Sequence, residues 1–133
     1  MTDRNLEELL CQAVAGNSIT LVEHFINEGA DVNYYGCWAA KQASRKGFLD
    51  ILKCLHKAGV NLNHNNGECL WVAARYGKIH IVRFLLENGC DESLECAMKM
   101  ARNYERKYVR IALEQHREKI NCKQIKEVET YAE

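Results

Sequence analysis

The sequence predicts an all-α fold: a solenoid of short antiparallel helix pairs joined by short linkers and stacked one on the next. Three observations predict it. Gly29, Gly59 and Gly89 recur at a constant interval of 30 residues, in EGADVN, AGVNLN and NGCDES. A second series, Gly16, Gly47 and Gly77, falls within the same period, in AVAGN, ASRKG and AARYG. Between the glycines lie short apolar stripes at helical spacing. A fixed period of this size marks a repeat architecture. Two such short helices cannot bury both stripes alone, so each pair must pack on its neighbour.

Taken in order, the first unit covers about residues 5–33, with one helix before Gly16 and a second, ITLVEHFINE, closed by Gly29. The second unit, about 34–63, repeats the pattern in AAKQASRKGFLDILKCLHKAGVNLN. The third, about 64–92, contains LWVAARYGKIHIVRFLLENG, which first reads as one amphipathic helix. Gly77 interrupts it. Leu70, Ala73 and Ala74 give a first helix a narrow apolar face, and Gly77 permits the positive-φ turn that ends it. Ile81, Val82, Leu85 and Leu86 give a second helix a wider face, closed by Gly89. A degenerate fourth unit, about 93–117, is placed at CAMKMARNYERKYVRIALEQH, with Tyr104 where the first glycine should stand and Val109 at the expected valine. Residues 118–133 form a charged C-terminal extension, with partial helix expected over Ile120–Val128.

The bulk numbers narrow the function. One domain is expected from 133 residues, and 47% apolar with 27% charged residues argues against disorder. Formal net charge is zero, which gives no global pull toward nucleic acid or acidic membranes. No apolar run approaches the roughly 18–20 residues needed to cross a bilayer, so no membrane partner is expected. The start, MTDRNLEELLCQAV, lacks the basic end and apolar stretch of a signal peptide. An intracellular location is expected, cytoplasmic in the first instance, with nuclear and host-cell locations open. The seven cysteines form no CxxC pair and read as reduced thiols that pack as small apolar residues.

These repeats resemble the ankyrin repeat, whose pattern runs G-x-T-P-L-H-x-A-A-x-x-G-H-x-x-I-V-x-x-L-L-x-x-G-A-D-V-N. LWVAARYGKIHIVRFLLENGCD matches its second half, as does AAKQASRKGFLDILKCLHKAGVNLN. LLCQAVAGNSITLVEHFINEGADVN matches with one extra residue between Gly16 and Val22. The resemblance covers about Leu6 to His116, in a short form of the repeat. The family's threonine-proline is missing, its places taken by Trp38-Ala39, Glu68-Cys69 and Glu95-Cys96, so weaker capping of the first helices is expected. The linkers at Tyr34-Tyr35 and His64-Asn65 are shorter than the usual hairpin fingers. Degenerate first and last units suggest a self-capped array.

The resemblance implies a non-catalytic module that binds a protein partner through a concave groove built from the first helices and the linker tips. Equivalent positions then form columns. Trp71 aligns with Leu10, Lys41 and Met98; Arg75 with Val14, Arg45 and Arg102; Tyr76 with Ala15, Lys46 and Asn103. With units stacked at about 10 Å, Arg45, Arg75 and Arg102 line up beside Trp38, Trp71 and Tyr76. Arginine forks bind carboxylates and phosphates, and tryptophan with arginine is common at binding hot spots. An acidic or phosphorylated partner surface is therefore expected. Tyr34 and Tyr35 extend the site at a linker tip, where exposed aromatics are costly without a contact. A cation–π contact between Trp71 and Arg75, four residues apart, is the plainer reading of that pair.

Other classes fare worse. No histidine is paired with a serine or cysteine in a nucleophile motif, and no glycine-rich phosphate loop is present, so no enzyme and no cofactor are expected. Cys90, Cys96 and His116 could converge near the last repeat, but without a tight ligand pair no metal site is expected there. Nucleic-acid binding through the basic strip is the alternative function, disfavoured by the zero net charge. Self-association through uncapped ends is a third option.

Overall fold

The computed structural model describes residues 5–132, with side chains as far as residue 128; the first four residues of the first predicted domain and the last of the extension lie outside that range. The described residues form eight helices and no strand. They are α1 (Leu6–Ala15), α2 (Ile19–Asn27), α3 (Tyr34–Lys46), α4 (Leu49–Lys57), α5 (His64–Arg75), α6 (Ile79–Glu87), α7 (Leu94–Asn103) and α8 (Lys107–Ala132). Each odd-numbered helix pairs with the next even one. The odd helices also pack on each other in sequence, α1 on α3, α3 on α5 and α5 on α7. The helix-pair solenoid expected from the glycine period is the observed fold.

The core is one continuous cluster running through all four pairs. Leu10, Leu52, Leu55, Leu70, Leu85, Met98 and Leu113 are among its largest members, each fully buried. Small residues fill the closest approaches between first helices: Ala13, Ala43, Ala73 and Ala101 recur at one position and are all buried. Their small side chains let neighbouring helices approach closely without leaving voids.

The register of the repeat differs from the glycine series in two of the four units. The residue that turns the chain out of each first helix has positive φ, and it is Asn17 (55°), Gly47 (79°), Gly77 (70°) and Glu105 (55°). Gly16, by contrast, has φ −84°, which any residue can adopt. Asparagine is one of the few side chains that visits the left-handed region readily, so Asn17 replaces a glycine in the first unit. The extra residue between Gly16 and Val22 thereby disappears. In the last unit Glu105, not Tyr104, takes the turn, and Val109 falls in line with Ile81.

The short linkers are built in an unusual way. The family's hairpin finger is replaced in units two and three by three consecutive left-handed residues at the start of the first helix. These are Tyr35, Gly36 and Cys37 (φ 53°, 61° and 58°) in α3, and Asn65, Asn66 and Gly67 (φ 54°, 57° and 78°) in α5. Neighbouring units are tied at these turns by polar contacts. The Asn61 amide donates to Asn33 Oδ1 at 2.8 Å, and Ser93 Oγ donates to the Gly67 carbonyl at 2.7 Å. No side-chain cap bond is made at Asn33, Asn63 or Ser93, whereas Asn5 and Ser18 do cap α1 and α2.

Helix α8 crosses the boundary expected at residue 117 and continues as one helix to Ala132, well beyond the partial helix expected over Ile120–Val128. Its first half, the second helix of the fourth unit, packs on α7 and α6 and buries Val109 and Leu113, with Ile120 partly covered. Two polar contacts pin it: His116 Nε2 lies 3.2 Å from Asp91 Oδ2, and Arg117 forms an ion pair with Glu95, Nη1 to Oε1 3.1 Å.

All seven cysteines are free; Cys37, Cys69 and Cys90 are buried and Cys96 and Cys122 exposed. Burial pushes the Cys69 thiol from 9.0 up to about 11, with the adjacent Ser44 hydroxyl pulling partly the other way. A raised folded-state pKa favours folding below the unfolded value. This contribution, roughly 2–3 kcal/mol, is present in full below pH 9.0 and is lost as the pH rises to about 11. Alkylation of the native protein at pH 8 should label Cys96 and Cys122 first and reach Cys69 only after denaturant is added. Early labelling of Cys69, followed by peptide mapping, would contradict its placement.

Candidate groove along the first helices

Apart from Arg102, the expected site residues fall into two clusters, with Lys41 and Trp71 between them. The first cluster lies at the linker end of α1 and α3. Tyr34, Tyr35 and Trp38 line a cleft of about 270 Å³ with Glu8, Cys11 and Gln12 from the first unit. The two tyrosine rings stand 6.0 Å apart, tilted by 41°. Tyr34 and Trp38 are half-buried, whereas Tyr35 is 76% exposed. Tyr35 also occupies a left-handed position where the next unit, thirty residues on, has Asn65. Tyr35 thus stands exposed in a backbone region that costs a non-glycine residue about 1 kcal/mol. Tyr35→Asn should therefore raise the melting temperature by a few degrees while weakening partner capture. A lower melting temperature would mean that ring packing outweighs the backbone strain.

The second cluster lies at the turn end of α3, α5 and α7. The Arg45 guanidinium sits 5.5 Å from the Tyr76 ring centre, and Arg75 sits 5.5 Å from the same ring. Arg75 is also 5.0 Å from the ring of Tyr104. Two arginines and two tyrosines from three consecutive units thus alternate along one strip. No ion pair is formed by Arg45 or Arg75 among the described residues. Stacking on aromatic faces orients a guanidinium while leaving its N–H edge free for an oxyanion. Lys46 is exposed beside this strip. Lys41, nearer the middle, pairs across units with Glu68 at 3.6 Å, and Glu68 also accepts from Asn65 Nδ2 at 3.0 Å.

Three expectations are corrected here. Arg102 is not in the arginine column. With the turn at Glu105, the column reads Ala15, Arg45, Arg75 and Asn103, and the tyrosine column reads Gly16, Lys46, Tyr76 and Tyr104. Likewise Trp71 aligns with Cys11, Lys41 and Lys99 rather than with Leu10 and Met98, which are buried core. Arg102 is exposed one position further round the helix, on the outer face of the last unit. The cation–π partner of Arg75 is also different: its contacts are to Tyr76 and Tyr104, while Trp71 is half-buried against the core. Tyr104 is the main participant that the sequence reading missed. Its signal was the tyrosine immediately before the turn residue in both ARYG and ARNYE, obscured by the matching Ala-Arg pairs.

The family model described as "Ankyrin repeats (3 copies)" matches residues 9–96. The chain is 34% identical over 94 residues to "Protein VAPYRIN-LIKE" of Medicago truncatula, covering 68% of this chain and 20% of that protein. It is 28% identical over 110 residues to "Ankyrin repeat and KH domain-containing protein mask-1" of Caenorhabditis elegans, covering 74% of this chain and 4% of that protein. The chain thus spans a fifth or less of the length of these relatives. No helix among the described residues is long and apolar enough to cross a membrane. The period, the helix-pair stack and the family match agree, and the chain belongs to the ankyrin-repeat family.

Proposed function

We propose that the chain is a non-catalytic adaptor that binds an acidic or phosphorylated protein surface along the exposed face of its first helices. Ankyrin repeats generally mediate protein–protein interaction, which supports the class of function. The observation that carries the finer reading is the alternation of Arg45, Tyr76, Arg75 and Tyr104, with both guanidiniums free of acidic partners among the described residues. Like charges this close are unfavourable in isolation, and an anionic partner removes that cost. The aromatic cleft of Tyr34, Tyr35 and Trp38 offers an apolar anchor at the other end, so a segment with an aromatic residue at one end and acids at the other fits both clusters.

The test is charge reversal in the strip. Arg45→Glu with Arg75→Glu should reduce capture of the chief partner from cell extract at least tenfold, with the helical circular dichroism unchanged. Neither side chain is in the core, so the fold is expected to survive. Undiminished capture would sink the assignment of this face. Binding of generic single-stranded RNA at low salt, lost in the same variant, would instead move the reading to nucleic acid.

A further inference from the structure

We propose that the outer face of the fourth unit binds a phosphomonoester dianion carried on a serine or threonine side chain of the protein partner. This rests on the reading above and adds a second anchoring point beyond the groove. The repeat itself defines the two positions concerned. Three residues before the left-handed turn and five after it, the first three units bury Val14 and Val22, Ser44 and Leu52, and Ala74 and Val82. In the fourth unit those positions hold Arg102 and Arg110, both exposed. With Arg106 and Lys107 they line a cleft of about 220 Å³, whose single carboxylate is Glu105.

An end cap needs only a polar face, and mixed charge serves that purpose best. Here four cations face one acid. No ion pair is formed by Arg102 or Lys107 among the described residues, and Arg110 has only the half-buried Glu114 at 3.9 Å. Lys107 and Arg110 lie in the first turn of α8, which contains no acidic residue. Positive charge at that end opposes the helix macrodipole. The cluster is therefore held together against two unfavourable fields, and a dianion offsets both. Arginine forks take the oxygens of a phosphoryl group in pairs, while a lysine adds a point charge. Arg106 Nε also donates to the Arg75 carbonyl at 3.1 Å, which makes the cleft continuous with the arginine–tyrosine strip.

The experiment titrates the 15N-labelled full chain and follows the arginine Nε–Hε resonances. Its probes are a peptide with glutamates upstream of one phosphoserine, the unphosphorylated twin, and inorganic phosphate. Saturable shifts of Arg102 and Arg110 are expected with the phosphopeptide, which should bind at least tenfold more tightly than its twin or free phosphate. Arg102→Gln with Arg110→Gln should reduce it to the level of the twin, and exposure of both residues leaves the melting curve in place. If phosphorylation adds nothing, the cleft is not a phosphate site, and Arg45→Glu with Arg75→Glu still decides the groove. If free phosphate binds as tightly as the phosphopeptide, the peptide source is overturned. If the phosphorylation gain survives the glutamine pair, the assignment to Arg102 and Arg110 fails.

Discussion

Ala74→Arg should abolish the cooperative melt of the array. Ala74 is fully buried in α5, at the position that takes up the next unit, and α5 packs directly on α7. The chain contains its own control, because the equivalent position of the last unit is the exposed Arg102. The same side chain is harmless where nothing stacks on it and ruinous between two helices. Forcing an unpaired guanidinium into that contact costs several kcal/mol, roughly half or more of the stability typical of a small domain. Circular dichroism during heating measures it. A melting temperature within a few degrees of the parent would show that Ala74 does not lie between stacked helices.

Gly67→Ala should cost about 2–4 kcal/mol, several times more than Gly89→Ala. Both glycines have positive φ, 78° and 75°, so both substitutions carry the backbone penalty of about 1 kcal/mol. Their surroundings differ. A Cβ on Gly67 would lie 3.0 Å from Ser93 Oγ and 3.2 Å from the Ser93 backbone nitrogen, whereas one on Gly89 would meet nothing within 4 Å. Relief at Gly67 requires the third and fourth units to move apart at the point where Ser93 donates to the Gly67 carbonyl. Urea titration of the two variants gives the comparison directly. Equal midpoints would mean that the interface at Ser93 yields more easily than its geometry indicates.

The fold was legible because two of its requirements leave plain marks in composition. Gly29, Gly59 and Gly89 close second helices with positive φ, and alanines fill the close contacts between first helices. What the glycine series could not reveal is where another residue accepts the same backbone state. Asn17 does so with a side chain suited to it, but Glu105 does so only because the surrounding pair of helices fixes the turn. That single ambiguity displaced Arg102 by one position and hid Tyr104. The left-handed turn in α3 was hidden for the same reason: Tyr35 and Cys37 are not residues that announce such a conformation, whereas Asn65, Asn66 and Gly67 at the matching turn of α5 are. The individual site residues were easier to find than their contacts. Residue type suggested the arginines and aromatics, whereas pairing Arg75 with Tyr104 required a register known to the residue.

Helix α8 gives the molecule an uneven resistance to opening. At 1.5 Å per residue its 26 residues span about 39 Å, nearly three times the reach of the nine-residue second helices. Its stripe of packed residues, Val109, Leu113 and Ile120, ends well before the helix does, and Ile125 and Val128 are exposed. Backbone amides in the first half open only when the fourth unit opens. Those beyond Ile120 are protected by little more than the helix's own marginal stability. Hydrogen exchange along this one helix would pass from hours to seconds without any break in its hydrogen-bond ladder, a gradient set by packing alone.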